Sequence, residues 1–183
     1  MSFWGNLIGY QVTWFAIVIG AGREQPWPGI VIALGFVIWQ SWGAQRALML
    51  RLVAVAVLAG LVIDGALVRG GMLVYASPWP SPQWPPLWIL AIWAAFAVTL
   101  PRSLAFLQGR PWLAAALGAV GGPLAYLAAA KVGSAVEFAM PHWPALVVLA
   151  SAWAVAMPLL ATYAMRSARA ASLPALASGV PSQ

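Results

Sequence analysis

Apolar residues dominate six stretches of the chain, at residues 3–20, 28–42, 47–68, 86–107, 112–133 and 143–165. Crossing the hydrocarbon core of a bilayer takes about 20 residues of helix. Five of the stretches meet or approach that length, and the second is short. Polar residues, glycines and prolines collect in brief connections between them. The end of the chain, 166–183, is small, polar and Pro-containing, a composition expected to stay flexible. The pattern predicts an all-α fold: an integral membrane bundle of six transmembrane helices over 1–165, with a flexible cytoplasmic tail over 166–183. The first stretch does not read as a signal peptide, because it has no basic leader and Asn6, Tyr10 and Gln11 interrupt its apolar core.

Orientation follows the cations. Arg46, Arg51, Arg102, Arg110, Arg166 and Arg169 fall on one side of the predicted bundle, and Arg23, Arg69 and Lys131 on the other. This bias predicts cytoplasmic N- and C-termini. In a bacterium the loops 21–27, 70–85 and 134–142 would then face the periplasm. Tryptophans mark both boundaries: Trp4, Trp39, Trp42 and Trp112 at the inner one, and Trp27, Trp79, Trp84, Trp88 and Trp143 at the outer one. Trp14, Trp93 and Trp153 lie deeper, as core packing or as the wall of a cavity.

Composition narrows the function. Of the 183 residues, 63% are hydrophobic and 7% are charged, against about 25% charged in soluble domains. A soluble enzyme, a nucleic-acid binder and a disordered chain are excluded. The net charge of +6 comes from scattered cations that form no basic stripe, so no nucleic-acid partner is expected. The absence of cysteine removes disulfide, iron–sulfur and thiol chemistry. A single histidine, His142, cannot supply a bis-His haem or a His-rich di-iron centre. Neither a glycine-rich phosphate loop nor a paired-His zinc motif occurs. No cofactor, no metal and no catalytic constellation is expected.

An ionisable residue within a span is costly to keep there and is a functional candidate by default. Asp64, in the outer third of the third span, is the clearest. Lys131, near the outer end of the fifth span, and Arg69, five residues further on, are its expected partners. Asp64 then either ties helices together as an ion pair or binds a cationic or hydroxyl group, or a proton. All three acids, His142 and Lys131 fall in the outer half, as does the Trp- and Pro-rich stretch 75–86. That stretch either caps a cavity or lies on lipid headgroups.

Prolines 101, 123 and 158 each remove a backbone donor from a span. In the fifth span, Gly118, Gly121, Gly122 and Pro123 cluster near the bilayer centre. Gly118 and Gly122 have the spacing that lets helices approach closely. This region is either tightly packed and kinked or unwound along a cavity that Tyr126, one turn on, would share. Asn6, Tyr10 and Thr13 form a polar edge on the first helix, and Arg102 is expected to snorkel to the inner surface.

The run Leu61-Val-Ile-Asp64, Pro86-Leu-Trp88 with Trp93 and Phe96, Thr99-Leu100, Ser103-Leu104, Gly109-Arg-Pro111, and Gly118 with Gly121-Gly-Pro-Leu-Ala-Tyr126 resembles an uncharacterised family. Its members are small bacterial polytopic inner-membrane proteins known as a domain of unknown function. The resemblance covers nearly the whole chain apart from the tail. It implies a multi-pass bacterial inner (cytoplasmic) membrane location and a genomic setting near cyclopropane-fatty-acid-synthase-like genes. Relatives often carry Asn-His directly before the matched Ser-Leu, where this chain has Pro101-Arg102.

The expectation is a non-catalytic factor that binds lipid or serves a lipid-modifying enzyme. Its partners would be membrane lipids, and Asp64, Lys131, Gly122, Pro123, Tyr126 and Trp93 would line its binding space. Two alternatives stand beside it: a small-molecule or lipid transporter built on a broken fifth helix, and a cofactor-free membrane enzyme using Asp64 or His142.

Overall fold

A long apolar run shielded from water must satisfy its own backbone, and helix does so within one segment. The computed structural model describes residues 2–43 and 45–177. They form six α-helices: α1 (Phe3–Gly22), α2 (Trp27–Ser41), α3 (Arg46–Arg69), α4 (Leu87–Ala97), α5 (Pro111–Gly133) and α6 (Trp143–Ala177). Strand β1 (Leu73–Tyr75) precedes α4, and strand β2 (Val136–Phe138) follows α5. Three helices are long and apolar enough to cross a membrane: α3, α5, and α6 as far as Arg169. Helices α2 and α4 are apolar but shorter. Two of the polar residues of α1, Asn6 and Thr13, turn inward and are buried, while Gln11 is exposed.

Small residues set the helix contacts. The most extensive contact is between α5 and α6, where Gly118 lies against the Trp153 carbonyl and the Met157 side chain. A Cβ at Gly118 would overlap both, which is the close approach that its spacing to Gly122 predicts. Gly35 of α2, by contrast, has open space around it.

The loops after α1, α3 and α5 gather at one end. Strands β1 and β2 pair antiparallel with Tyr75 opposite Val136 and Leu73 opposite Phe138. Their alternation turns Leu73, Tyr75, Val136 and Phe138 inward, as a two-residue period requires. The Ser77 hydroxyl donates to the Ala21 carbonyl over 3.0 Å, and Gly22 is so close to Gly133 that a Cβ would overlap its carbonyl. This shared end is the ribbon end. The opposite end holds the C-terminus of α2, residues 98–110 and the start of α5.

Three expectations are corrected. The predicted fourth span, 86–107, is helical only through Ala97. Pro101 cannot continue the hydrogen-bond ladder, and the Thr99 hydroxyl donates to the Phe96 carbonyl over 2.6 Å, so the chain turns through 98–104 and closes with a short 3-10 turn at Ala105–Leu107. Helix α5, by contrast, is continuous through Pro123. The last helix passes the expected boundary at 165 and runs to Ala177; the part of the expected tail from 178 on lies outside the described residues. Trp88, expected at the outer boundary, is buried, and its indole N–H donates to the Ala76 carbonyl over 2.9 Å. The other boundary tryptophans are exposed, Trp112 at 88% and Trp42 at 81%.

Candidate functional site

Asp64 is 0% exposed. It lies on α3 towards the ribbon end, one turn after Gly60. Its Oδ1 accepts two phenol hydrogens, from Tyr75 Oη and Tyr126 Oη, each over 2.5 Å. Its Oδ2 accepts the Trp93 indole N–H over 2.7 Å. These bonds join four elements, α3, β1, α4 and α5, at one carboxyl group. Burial, with the Asp64 carboxyl and then Tyr126 beside it, holds the Tyr75 phenol well above its usual range.

The ion pair expected for Asp64 is not formed. Lys131 is exposed near the end of α5. Arg69 is also exposed, and its guanidinium lies 4.1 Å above the Trp84 ring. Long cationic side chains near helix ends reach water at little cost, whereas a phenol or indole must find its acceptor inside. The carboxyl group therefore takes the donors that cannot leave.

Beside Asp64 the aromatic rings form a layer. Trp93 and Trp153 stack with centroids 4.5 Å apart and planes 14° from parallel, the offset-stacked arrangement indoles favour. Gly60 of α3 backs the Trp93 ring, and Gly122 of α5 backs the Trp153 ring; a Cβ at either would overlap the indole. Two glycines thus clamp two stacked indoles across four helices. Phe96 meets Trp153 edge-on at 5.3 Å.

Next to this layer is a cavity of about 210 Å³ between α1, α4, α5 and α6, with Tyr10, Trp14, Trp93, Tyr126 and Trp153 among its lining residues. Gly121 opens onto it, and nothing lies within 4 Å of where its Cβ would be. Of the six residues expected at a binding space, Asp64, Trp93 and Tyr126 share one hydrogen-bonded cluster, and Gly122 supports it through Trp153. Trp93, Gly122 and Tyr126 line the cavity; Asp64, the half-buried Pro123 and the exposed Lys131 do not. His142 is exposed, its ring 5.8 Å from Phe138. Among the described residues, no three His, Cys, Asp or Glu side chains come together to hold a metal.

Trp14, Trp93 and Trp153, read in the sequence as core packing or the wall of a cavity, all line the cavity, whereas Tyr75 was not singled out as a partner of Asp64. The alternation that turns Tyr75 inward shows in the burial of its strand, since Leu73, Val74 and Tyr75 are all apolar in sequence. Gly118 and Gly122 did point to a close neighbour, which proved to be Trp153.

A second polar junction lies at the opposite end. Asn6 of α1 is 0% exposed. Its amide donates to the Val98 carbonyl over 3.3 Å. Its Oδ1 accepts from the Ser103 backbone N–H over 3.3 Å and from the Ser103 hydroxyl over 2.6 Å. The Gln108 amide donates to the Leu100 carbonyl over 3.0 Å. Side chains therefore take over the backbone pairing that helix would supply, as irregular backbone within a bundle requires. Arg102 does not snorkel freely; its Nη2 donates to the Gln40 carbonyl over 3.0 Å.

The profile of a family described as protein of unknown function (DUF2878) matches residues 3–159. No curated protein and no solved structure matches the chain.

Proposed function

We propose, from the premise that the chain belongs to the DUF2878 family of proteins of unknown function, that it is a membrane protein holding one apolar ligand, an acyl chain, without reacting with it. In this reading all six helices and the 98–110 segment lie in the bilayer of a bacterial inner membrane, with both termini cytoplasmic and the ribbon end outside. The single observation behind it is the apolar, aromatic cavity of about 210 Å³ between α1, α4, α5 and α6. That is below the roughly 300–1,000 Å³ of pockets for drug-sized ligands, and it suits one chain.

The groups nearby favour holding over chemistry. Asp64 is enclosed and engaged by three donors, and His142 lies elsewhere, so no acid–base pair faces the cavity. A continuous α5 and an apolar cavity also take away the main support for a transporter. An accessory role beside an enzyme that modifies membrane acyl chains would use the same cavity, and it agrees with the genomic setting that the family resemblance implies.

The test is mass spectrometry of organic extracts from detergent-purified protein. Gly121→Leu adds a side chain to the cavity lining at a position where a Cβ meets nothing within 4 Å. Wild-type protein is expected to retain about one acyl-bearing lipid per chain, in line with a single buried site. Gly121→Leu, shown folded by its thermal melt, is expected to lose it. Equal retention by the two proteins, or none by wild type, refutes the reading.

A further inference from the structure

Arg102 has a cation's need for a counter-ion, and among the described residues no acidic side chain lies at its end of the bundle. The three Asp and Glu residues are Glu24, Asp64 and Glu137. Glu24 is in the loop after α1, Glu137 is in β2, and Asp64 is bonded to Tyr75 of β1. All three therefore belong to the ribbon end. Arg102 is at the opposite end, in the segment after α4, partly buried and tied through Nη2 to the Gln40 carbonyl. That contact is to a C-terminal helix carbonyl, which orients the guanidinium and offsets its charge only in part.

The surroundings are polar and incompletely paired. Arg102 Nε has no protein partner, and neither does the Ser41 hydroxyl. The Gln40 side chain is 0% exposed with both Nε2 and Oε1 unpaired. Buried polar groups are normally paired; the unmet donors belong to Arg102, to the residue whose carbonyl it holds and to the next residue of α2, and they point to a missing acceptor. The unpaired hydrogens of the buried guanidinium Nε, amide and hydroxyl suit an oxyanion. A guanidinium fork matches phosphate geometry, and the membrane reading above, on which this step rests, places phosphate at this level of the bundle.

We propose that Arg102, with Gln40 and Ser41, forms a site for the phosphate of a membrane lipid headgroup at the end of the bundle opposite the β-ribbon. This site is separate from the aromatic cavity. The phosphate neutralises Arg102 and brings oxygens to the amide and hydroxyl that the protein leaves unpaired.

Three probes, titrated into protein in a non-ionic detergent, test it through the unfolding temperature: dioctanoyl phosphatidylglycerol, dioctanoylglycerol with the same tails and no phosphate, and inorganic phosphate. The phosphatidylglycerol is expected to stabilise wild type more than either control. Its half-saturating concentration should rise about tenfold in Arg102→Gln, as loss of a charge-assisted contact implies. Arg51→Gln, which removes an exposed cation of α3, should respond as wild type does. Phosphatidylglycerol acting no better than dioctanoylglycerol overturns the proposal. So does inorganic phosphate matching it, which assigns the site to a free ion, and so does an equal response of the Arg102 and Arg51 variants. Should Arg102→Gln fail to fold, the three-probe comparison on wild type still decides. Lipid retention by the aromatic cavity, read through Gly121→Leu, is independent of Arg102, so either reading can fail alone.

Discussion

Replacing Gly60 by Ala adds a single methyl group in the interior of α3, and helix propensity alone would favour it by about 1 kcal/mol. The opposite outcome is expected, because the new Cβ would overlap the Trp93 indole at Cδ1, Cγ and Nε1. Forced overpacking of this kind costs about 1–3 kcal/mol. Moving the indole also breaks its 2.7 Å bond to Asp64, and a buried polar group left unpaired costs about 1–3 kcal/mol more. Taking about 2 kcal/mol for each and subtracting the propensity gain leaves a net destabilisation of about 3 kcal/mol. That corresponds to a fall of roughly 6–12 °C in the unfolding midpoint for a chain of this size. Differential scanning fluorimetry in detergent reads this directly. Gly35→Ala, where nothing lies within 4 Å, serves as the control and should gain stability. In a Trp93→Leu background the Gly60→Ala penalty should vanish. A Gly60→Ala protein as stable as wild type, or a penalty that persists without Trp93, refutes the glycine-clamped indole layer.

Further outcomes are expected at the two polar junctions. Asp64→Asn turns an amide N–H₂ towards the Trp93 N–H or withdraws an acceptor from the phenols; unfolding should become easier by about 1–3 kcal/mol, and an unchanged midpoint would count against the three-donor cluster. Asn6→Leu leaves the Val98 carbonyl and both Ser103 donors unmet, at a cost of about 3 kcal/mol or more. Limited trypsinolysis should then cut faster after Arg102, and an unaltered cleavage rate would argue that Asn6 does not hold that segment. Folding raises the Tyr75 phenol above its ordinary value of 10.0, so the neutral form is the one the fold stabilises. Its contribution is complete below that value and is lost as pH rises through the higher folded value. The wild-type midpoint should fall above about pH 10 more steeply than that of Tyr75→Phe, and parallel pH profiles would contradict this.

Asp64 was legible in the sequence because an acid in an apolar run is rare whatever surrounds it. Its partners were not, since charge complementarity looks for opposite charge and passes over a phenol or an indole N–H. Lys131 satisfied the search on paper, but its long stem lets it reach the surface. The helices of 47–68 and 112–133 followed from length and apolarity. The end of α4 did not, because apolarity persists through Leu107 while Pro101 and the Thr99 hydroxyl stop the ladder. Strands of three residues are too short for a period to stand out, and so Tyr75 stayed hidden in a stretch read as extended loop.

The Asn6–Ser103 junction also sets an order of events in the making of the protein. The two residues are separated by 97 positions, and a ribosome adding roughly 5–20 residues per second takes about 5–20 s to cover that distance. For most of that interval α1 is finished while the partners of the Asn6 side chain have yet to be synthesised. Under the six-span reading the first helix must wait in the bilayer with a polar group unanswered, dependent on whatever insertion machinery shelters it. A ribosome that stalls before Val98 would strand that helix, making the nascent chain a natural target for membrane quality control.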